Sequence, residues 1–111
     1  MLKKVSFYVT GNVQGVMFRQ TFIRAAEKKA LRGGVSNDTK NNARVDCSLI
    51  GDEAAIEQLI SKLRTGKPIN SWNAYVQELH FHKHFIELSK HQITTDNVNQ
   101  FNWSPDVEFY L

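Results

Sequence analysis

The chain has 111 residues, of which 41% are hydrophobic and 23% are charged, and its formal net charge is +3. This length predicts one domain spanning residues 1–111, and the composition is that of an ordinary soluble globular protein. It contains no apolar run long enough for a membrane helix, and its scattered basic residues do not indicate a nucleic-acid partner. Cys47 is the only cysteine, so no intrachain disulfide can form and we expect a cytoplasmic protein.

The first predicted elements are a strand and a helix. Apolar residues occupy every second position from Val5 to Val9, which predicts a half-buried strand that stops at Gly11. Apolar side chains at a four-residue spacing then predict an amphipathic helix from about Phe18 to Leu31. We expect the Gly33-Gly34 pair to end this helix.

A hairpin is predicted next. A short second strand runs from about Gly34 to Asn37, residues 38–42 form a polar turn, and a third strand carries apolar residues from Val45 to Leu49. This third strand ends at Gly51.

A second helix follows the hairpin. Asp52 can cap its first turn, and an apolar stripe from Ile56 to Leu63 indicates the buried face. Gly66 and Pro68 are expected to end it.

The last third of the chain has weaker signals. A fourth strand is predicted from about Tyr75 to Phe85, and the stretch from Ser89 to Asn102 is polar with little periodicity. The residues from Val107 to Leu111 are typical of a short final strand.

This order of elements predicts an α+β fold of the ferredoxin-like kind, a split βαβ sandwich with two helices on one face of an antiparallel sheet (βαββαβ plus a short C-terminal strand). A right-handed crossover makes the first two strands parallel, with the third strand between them. The carboxyl ends of the first two strands then lie at the same edge of the sheet. The loop after Gly11 and the side chain of Asn37 should therefore face one site.

The loop between the first strand and the first helix has the composition of an anion-binding site. Gly11 and Gly15 allow successive backbone N–H groups to point into one concavity, and the helix start adds unpaired donors. Arg19 adds a fixed charge with several donors. We therefore expect the residues from Gln14 to Arg19 to bind phosphate.

Asn37 is the candidate for activating water at this site. Its amide has both a donor and an acceptor, so it can orient a water molecule for in-line attack on phosphorus. No general acid accompanies Asn37 and Arg19 in the sequence pattern. This favours an acyl phosphate, whose carboxylate leaving group is stable without protonation, over an alkyl phosphate ester.

Two motifs in the chain resemble those of the acylphosphatase family. Residues Gly11 to Arg19 read GNVQGVMFR and fit the family's G-x-V-Q-G-V-x-F-R, while Gly33 to Asn37 fit G-x-V-x-N. A weaker echo is Gly66-Lys67-Pro68, and the resemblance spans roughly Val5 to Val76.

The resemblance implies a ferredoxin-like enzyme that hydrolyses acyl phosphates to a carboxylate and phosphate without a metal or other cofactor. Arg19 would bind the phosphoryl group and Asn37 would orient the nucleophilic water. The phosphate cradle would be lined by the backbone N–H groups of Gln14, Gly15, Val16, Met17 and Phe18. The implied partner is a small-molecule acyl phosphate, and we expect a monomer.

Four departures from the family pattern bear on rate and substrate preference. The family usually has an aromatic residue in place of Gly34 and often a hydroxyl residue in place of Asp38. An acid beside Asn37 would repel a dianion if its side chain pointed inward. The hairpin around residues 40–44 is about two residues longer than usual, and the segment from Phe85 to Trp103 is also longer.

Three alternatives remain open from the residues. His80, His82 and His84 alternate along the predicted fourth strand, so they form either a solvated strand face or a metal cluster. The domain could instead bind an anion without hydrolysing it, because Gly34 and Asp38 depart from the pattern. An RNA-binding sheet is a third possibility, but the central strands offer little beyond Tyr8 as an exposed aromatic.

Overall fold

A computed structural model describes residues 1–101 and 104–111, so Asn102, the end of the predicted polar stretch, and Trp103 lie outside the described residues. The described part contains five strands and two α-helices. The strands are β1 (Leu2–Asn12), β2 (Arg32–Asn37), β3 (Arg44–Asp52), β4 (Tyr75–Phe81) and β5 (Ile93–Thr94). The helices are α1 (Phe18–Lys28) and α2 (Glu53–Arg64).

The five strands form one sheet in the order β4-β1-β3-β2-β5, and all neighbours are antiparallel. Because β1 and β2 both pair antiparallel to β3, they run parallel to each other. Their carboxyl ends, Asn12 and Asn37, therefore lie at the same edge of the sheet. The predicted ferredoxin-like α+β arrangement is confirmed.

The core lies between the sheet and the two helices. Side chains on one face of β1 and β3, such as Phe7, Val9 and Cys47, are fully buried, and Phe22 of α1 contacts Phe7 edge-on. Strand periodicity directs the intervening residues, such as Ser6 and Ser48, to the opposite face. No helix in the described ranges is both long and apolar enough to cross a membrane.

Helix α1 ends three residues earlier than predicted, and Ala30 rather than a glycine ends it. Ala30 has a left-handed backbone with φ of 58°. The Leu31 N–H donates to the Ala26 carbonyl at 2.9 Å and the Ala30 N–H donates to the Glu27 carbonyl at 3.0 Å. This is the Schellman arrangement, which normally has glycine at the left-handed position. Leu31, the residue after this alanine, is buried in the core.

Helix α2 begins and ends as predicted. An oxygen of Asp52 accepts a hydrogen bond from the Ala55 N–H at 3.1 Å, which satisfies one of the unpaired donors of the first turn. Thr65 is the C-cap residue, and Gly66 follows with φ of 74°.

The fourth strand ends at Phe81 rather than Phe85, because the chain then crosses the open face of the sheet. His82 Nε2 lies 2.9 Å from Asp46 Oδ1, and the Ile86 N–H donates to Ser6 Oγ at 2.8 Å. We call residues 82–92 the crossing segment. It carries the chain from β4 at one edge of the sheet to β5 at the other.

The short final strand of the sheet is Ile93–Thr94, not Val107–Leu111 as predicted. The last residues make one isolated bridge, between Asn70 and Phe109, flanked by backbone hydrogen bonds to residues 69 and 71. The edge of β2 is already paired with β5, so the terminal residues align with the link before β4 instead.

Candidate active site

The loop between β1 and α1 forms a concave row of backbone donors. Gly15 and Met17 both have left-handed backbones, with φ of 76° and 60°. None of the N–H groups from Gln14 to Phe18 has an acceptor in the described part of the chain. Successive N–H groups in such a turn, placed at a helix start, attract anions. This is the predicted cradle, residues 14–18.

Gly11 is required where β1 reaches the cradle. The β1–β4 register shifts between Thr10 and Gly11, where φ is 141°. A Cβ atom on Gly11 would lie 2.6 Å from the Tyr75 carbonyl oxygen. Only glycine allows this close approach of the two strands.

A cavity of about 210 Å³ joins the cradle to the end of β2. The cavity is lined by apolar side chains and by the predicted residues Gly15, Met17, Phe18, Arg19 and Asn37. Gln20 also lines it. The structure thus brings most of the predicted site residues to one place. Gln14 and Val16 are not among the lining residues.

Arg19 is half-buried at this cavity. Burial lowers the pKa of Arg19 from its ordinary value, yet a guanidinium remains protonated at neutral pH. Its Nη1 atom donates to Gln92 Oε1 at 2.9 Å. The other donors of the guanidinium make no hydrogen bond within the described residues, so they can bind an anion.

Asn37 lines the cavity and has a buried amide oxygen. Its Oδ1 atom is buried without a hydrogen-bond partner among the described residues. The backbone N–H of Asn37 donates to Gln92 Oε1 at 2.9 Å. A buried amide oxygen without a partner costs about 1–3 kcal/mol, and such groups concentrate at sites that take ligands.

Gln14 fastens the cradle to the β2–β3 hairpin through its side chain. Its Nε2 atom donates to the carbonyl oxygens of Asp38 at 3.0 Å and Arg44 at 2.9 Å. The longer hairpin is therefore held against the cradle. The predicted contribution of Gln14 was its backbone N–H, and the side-chain contact is an additional finding.

Asn70 holds the cradle from below and was not anticipated from the sequence. It is buried, and its Nδ2 atom donates to the Val16 carbonyl at 2.9 Å and to Thr21 Oγ1 at 2.8 Å. Its Oδ1 atom accepts from the N–H groups of Trp72 and Ala74. A lone asparagine in a link between elements carries no sequence signal for this role.

The Asp38 carboxylate does not approach the cavity. Its Oδ1 atom accepts from the N–H groups of Lys40 at 2.7 Å and Asn41 at 3.0 Å, and Oδ2 lies 3.6 Å from Arg44 Nε. These hydrogen bonds, led by the one from Lys40, lower the pKa of Asp38. The carboxylate is thus committed to its own loop, which removes the repulsion that an inward orientation would cause.

The His91 ring occupies the space beside Gly34. A Cβ atom at Gly34 would lie 2.7 Å from His91 Cδ2, so the small residue and the ring require each other. The ring is buried, with Nδ1 at 3.0 Å from Ser36 Oγ and Nε2 at 2.8 Å from Ser48 Oγ. The site is therefore packed at the position where the family usually has an aromatic residue.

The hydrogen bonds of Ser48 determine the tautomer of His91. Ser48 Oγ donates its only hydrogen to the Ile86 carbonyl at 2.8 Å, so Ser48 must accept from the imidazole. The proton of neutral His91 is then on Nε2, and Nδ1 accepts from Ser36. Burial lowers the pKa of His91, which favours this neutral form.

His80 and His82 lie beside the same tyrosine. His80 stacks on Tyr8 and contacts Glu78, and His82 of the crossing segment contacts Asp46 and the Tyr8 ring. In the described ranges, no three His, Cys, Asp or Glu side chains are arranged to hold a metal ion. Tyr8 is covered by His80 and by the guanidinium of Arg44, at 3.9 Å from the ring centre.

The fold and the cavity define a two-layer α+β protein with a candidate phosphate site at one sheet edge. A family model described as acylphosphatase matches residues 5–92. The match covers more than half of the chain, so the chain belongs to the acylphosphatase family.

Named relatives are similar to this chain over part of its length. An acylphosphatase of Haloquadratum walsbyi is 38% identical over 61 residues, which cover 55% of this chain and 63% of the relative. An acylphosphatase of Burkholderia mallei is 37% identical over 76 residues, covering 68% of this chain and 71% of the relative. The matched stretch is therefore shorter than two thirds of the first relative's length.

A solved structure agrees with the fold described above. An acylphosphatase from Coxiella burnetii superposes with a TM-score of 0.63 at 27% identity, covering 81% of this chain and 88% of that one. The two relatives and the solved structure from Coxiella burnetii are all named acylphosphatases, as is the family.

Proposed function

We propose that this protein is an acylphosphatase that hydrolyses the carboxyl-phosphate bond of a small acyl phosphate. The oxygen of water forms a bond to phosphorus, the bond from phosphorus to the acyl oxygen breaks, and its electron pair leaves with the carboxylate. Both water protons go to the phosphate product, as H₂PO₄⁻. The step needs no external co-reactant.

The single observation that carries this proposal is the union of donors and amide at one cavity. Gly15, Met17, Phe18, Arg19 and Asn37 all line it, and the N–H groups of residues 14–18 have no acceptor in the described part of the chain. The donors suit the three equatorial oxygens of a phosphoryl group during in-line displacement. In this proposal Asn37 orients the attacking water.

The other lining residues explain the preference for an acyl phosphate. Arg19 is the only ionisable side chain that lines the cavity in the described part of the chain. An arginine cannot serve as a general acid or base near neutral pH. A carboxylate leaving group needs no protonation, so positioning and electrostatic stabilisation are sufficient.

Benzoyl phosphate hydrolysis by the wild type, Arg19→Gln and Asn37→Ala, measured with a chelator present, tests the proposal. We expect each substitution to lower kcat/KM by about 10²–10³-fold, because each removes a group that stabilises the transition state. Circular dichroism and the unfolding midpoint should remain those of the wild type.

Two matched variants serve as controls. Arg32→Gln removes an exposed arginine that pairs with Asp96, and Asn42→Ala removes an exposed asparagine of the hairpin. Both should retain wild-type rates. Phosphate binding without hydrolysis by the wild type would refute the enzyme and favour a binding domain.

We further propose that residues 1–111 act as one domain and as a monomer in the cytoplasm. All the groups assigned to the reaction come from a single chain, so the proposed site needs no second copy. The only cysteine, Cys47, is buried, and burial raises the pKa of its thiol, so it is suited to a reducing compartment without a structural disulfide.

A further inference from the structure

Gln92 joins the two halves of the candidate site. Its Oε1 atom accepts one hydrogen bond from Arg19 Nη1 and another from the Asn37 N–H, both at 2.9 Å. One side-chain oxygen therefore contacts both Arg19, the proposed phosphate-binding residue, and the backbone of Asn37, the proposed water-orienting residue. Neither motif of the sequence contains this glutamine.

The backbone of Gln92 is held in place on three sides. Its N–H donates to Ser36 Oγ at 2.9 Å, and its carbonyl accepts from Asn97 Nδ2 at 3.4 Å. The preceding residue, His91, is buried against Gly34, and the following residue starts β5 beside β2. The side chain is exposed, yet it extends from a firmly packed backbone.

We propose that Gln92 is a positioning residue for phosphate binding, an inference that rests on the proposed function of the same site. By accepting from Nη1, it holds one arm of the Arg19 fork and leaves the remaining donors for the phosphoryl oxygens. By accepting from the Asn37 N–H, it fixes the end of β2 relative to that guanidinium. Gln92 thereby fixes the distance between the Arg19 guanidinium and the Asn37 amide.

The neutrality of the amide is essential to this role. A carboxylate at the same position would also accept from Arg19, but it would pair with the guanidinium charge and repel a phosphate dianion. An amide oxygen orients the arginine without cancelling its charge. Gln92→Glu therefore separates positioning from electrostatics, because it preserves the length and the acceptor.

The experiment compares the wild type with Gln92→Ala and Gln92→Glu in two assays. The first measures kcat and KM with benzoyl phosphate, and the second measures the dissociation constant of inorganic phosphate by NMR titration. Gln58→Ala is the matched control, because Gln58 is also exposed and its Oε1 also accepts from a cation, Lys29 Nζ at 3.2 Å, but on the helices.

We expect Gln92→Ala to weaken phosphate binding and raise KM by about tenfold, which is the usual effect of losing a hydrogen bond to a charged group. Gln92→Glu should raise the KM and the dissociation constant of phosphate further. The loss of phosphate affinity in Gln92→Glu should shrink only as the pH falls below the ordinary glutamate pKa of about 4.3, because the neighbouring guanidinium keeps the new carboxyl ionised. Gln58→Ala should match the wild type.

The outcomes separate this proposal from the proposed function. If the wild type binds phosphate but hydrolyses nothing, the enzyme assignment fails while the phosphate titration still tests Gln92. Phosphate affinities of Gln92→Ala and Gln92→Glu within twofold of the wild type would overturn the positioning role. A lower unfolding midpoint with unchanged phosphate affinity would also overturn it, since that result defines a purely structural residue.

Discussion

The two sides of the candidate site are built in different ways. The cradle is made of backbone N–H groups from five consecutive residues, 14–18. The opposite side depends on the side chain of Gln92, which contacts Arg19 across 73 positions of the sequence. The arrangement of consecutive backbone groups depends on the local conformation of the chain. The arrangement of side chains that are distant in the sequence depends on the path of the chain through the fold.

The supports of the two sides differ in the same way. Asn70 anchors the cradle with a fully bonded buried amide, while the packing of His91 against Gly34 anchors the segment that bears Gln92. Removing Asn70 should therefore disturb the cradle first. Disrupting the packing of His91 against Gly34 should disturb the side that bears Gln92 first. The following three experiments are ordered from the largest expected effect to the smallest.

The first experiment removes the anchor of the cradle. Asn70→Leu leaves the Val16 carbonyl and the N–H groups of Trp72 and Ala74 without a buried partner. We expect the free energy of unfolding to fall by about 2–4 kcal/mol, measured by urea denaturation. Asn42→Ala, on the exposed hairpin, should change it by less than about 0.5 kcal/mol. Equal stability of the two variants would show that Asn70 is not an anchor.

The second experiment forces apart the packing on the opposite side. Gly34→Ala places a methyl group 2.7 Å from His91 Cδ2, which should cost about 1–3 kcal/mol of unfolding free energy. Gly33→Ala is the neighbouring control, because its nearest contact is 3.3 Å, to Leu49 Cδ2, and its cost should be smaller.

A double-mutant cycle checks the cause of the Gly34→Ala effect. In a His91→Ala background the ring atoms at 2.7 and 2.9 Å are gone and only the β-carbon at 3.0 Å remains, so Gly34→Ala should cost less than it does in the wild type. The same cost in both backgrounds would place the clash elsewhere.

The third experiment uses pH to test the neutral state of His91. Burial lowers the pKa of His91 in the folded protein, with Asp46 partly opposing this effect and His82 adding to it. The unfolded chain then binds a proton more readily than the folded one. Stability should be fully present above the unfolded pKa of about 6.5 and should be lost as the pH falls through it towards the folded pKa.

Urea denaturation at about pH 7.5 and about pH 5.5 measures this loss, since each unit of pKa difference contributes about 1.4 kcal/mol. His91→Ala should flatten the dependence. His80→Gln, which alters an exposed ring, should leave it unchanged. A wild-type stability that is the same at both pH values would contradict the neutral assignment.

The parts of the fold that could be predicted depend on contiguous patterns. The alternation in β1, the cap at Asp52 and the two glycines of the cradle each specify local structure, and the topology of β1, β2 and β3 follows from the order of elements. The end of α1 was misplaced because a left-handed alanine, Ala30, leaves no mark in the sequence. The position of β5 was missed because two residues are too few to show a period.

The far side of the site was unpredictable for a related reason. Ser6, Ser36 and Ser48 resemble ordinary strand residues, yet they bind the crossing segment through Ile86, His91 and Gln92. Hydrogen bonds between distant polar side chains have no spacing rule, unlike the periodic burial of apolar residues.

The sequence by itself determined the family, the order of the first four strands and the two helices, and the turn at residues 14–18 that we propose binds phosphate, because these depend on backbone conformations that glycines and apolar periodicity select locally. Only the tertiary structure decided where Asp38 points, what fills the space beside Gly34 and which group holds Arg19 and Asn37 together. Those features depend on a segment that crosses the sheet and is held by polar contacts between residues distant in the chain. Such contacts exist only once the sheet has formed.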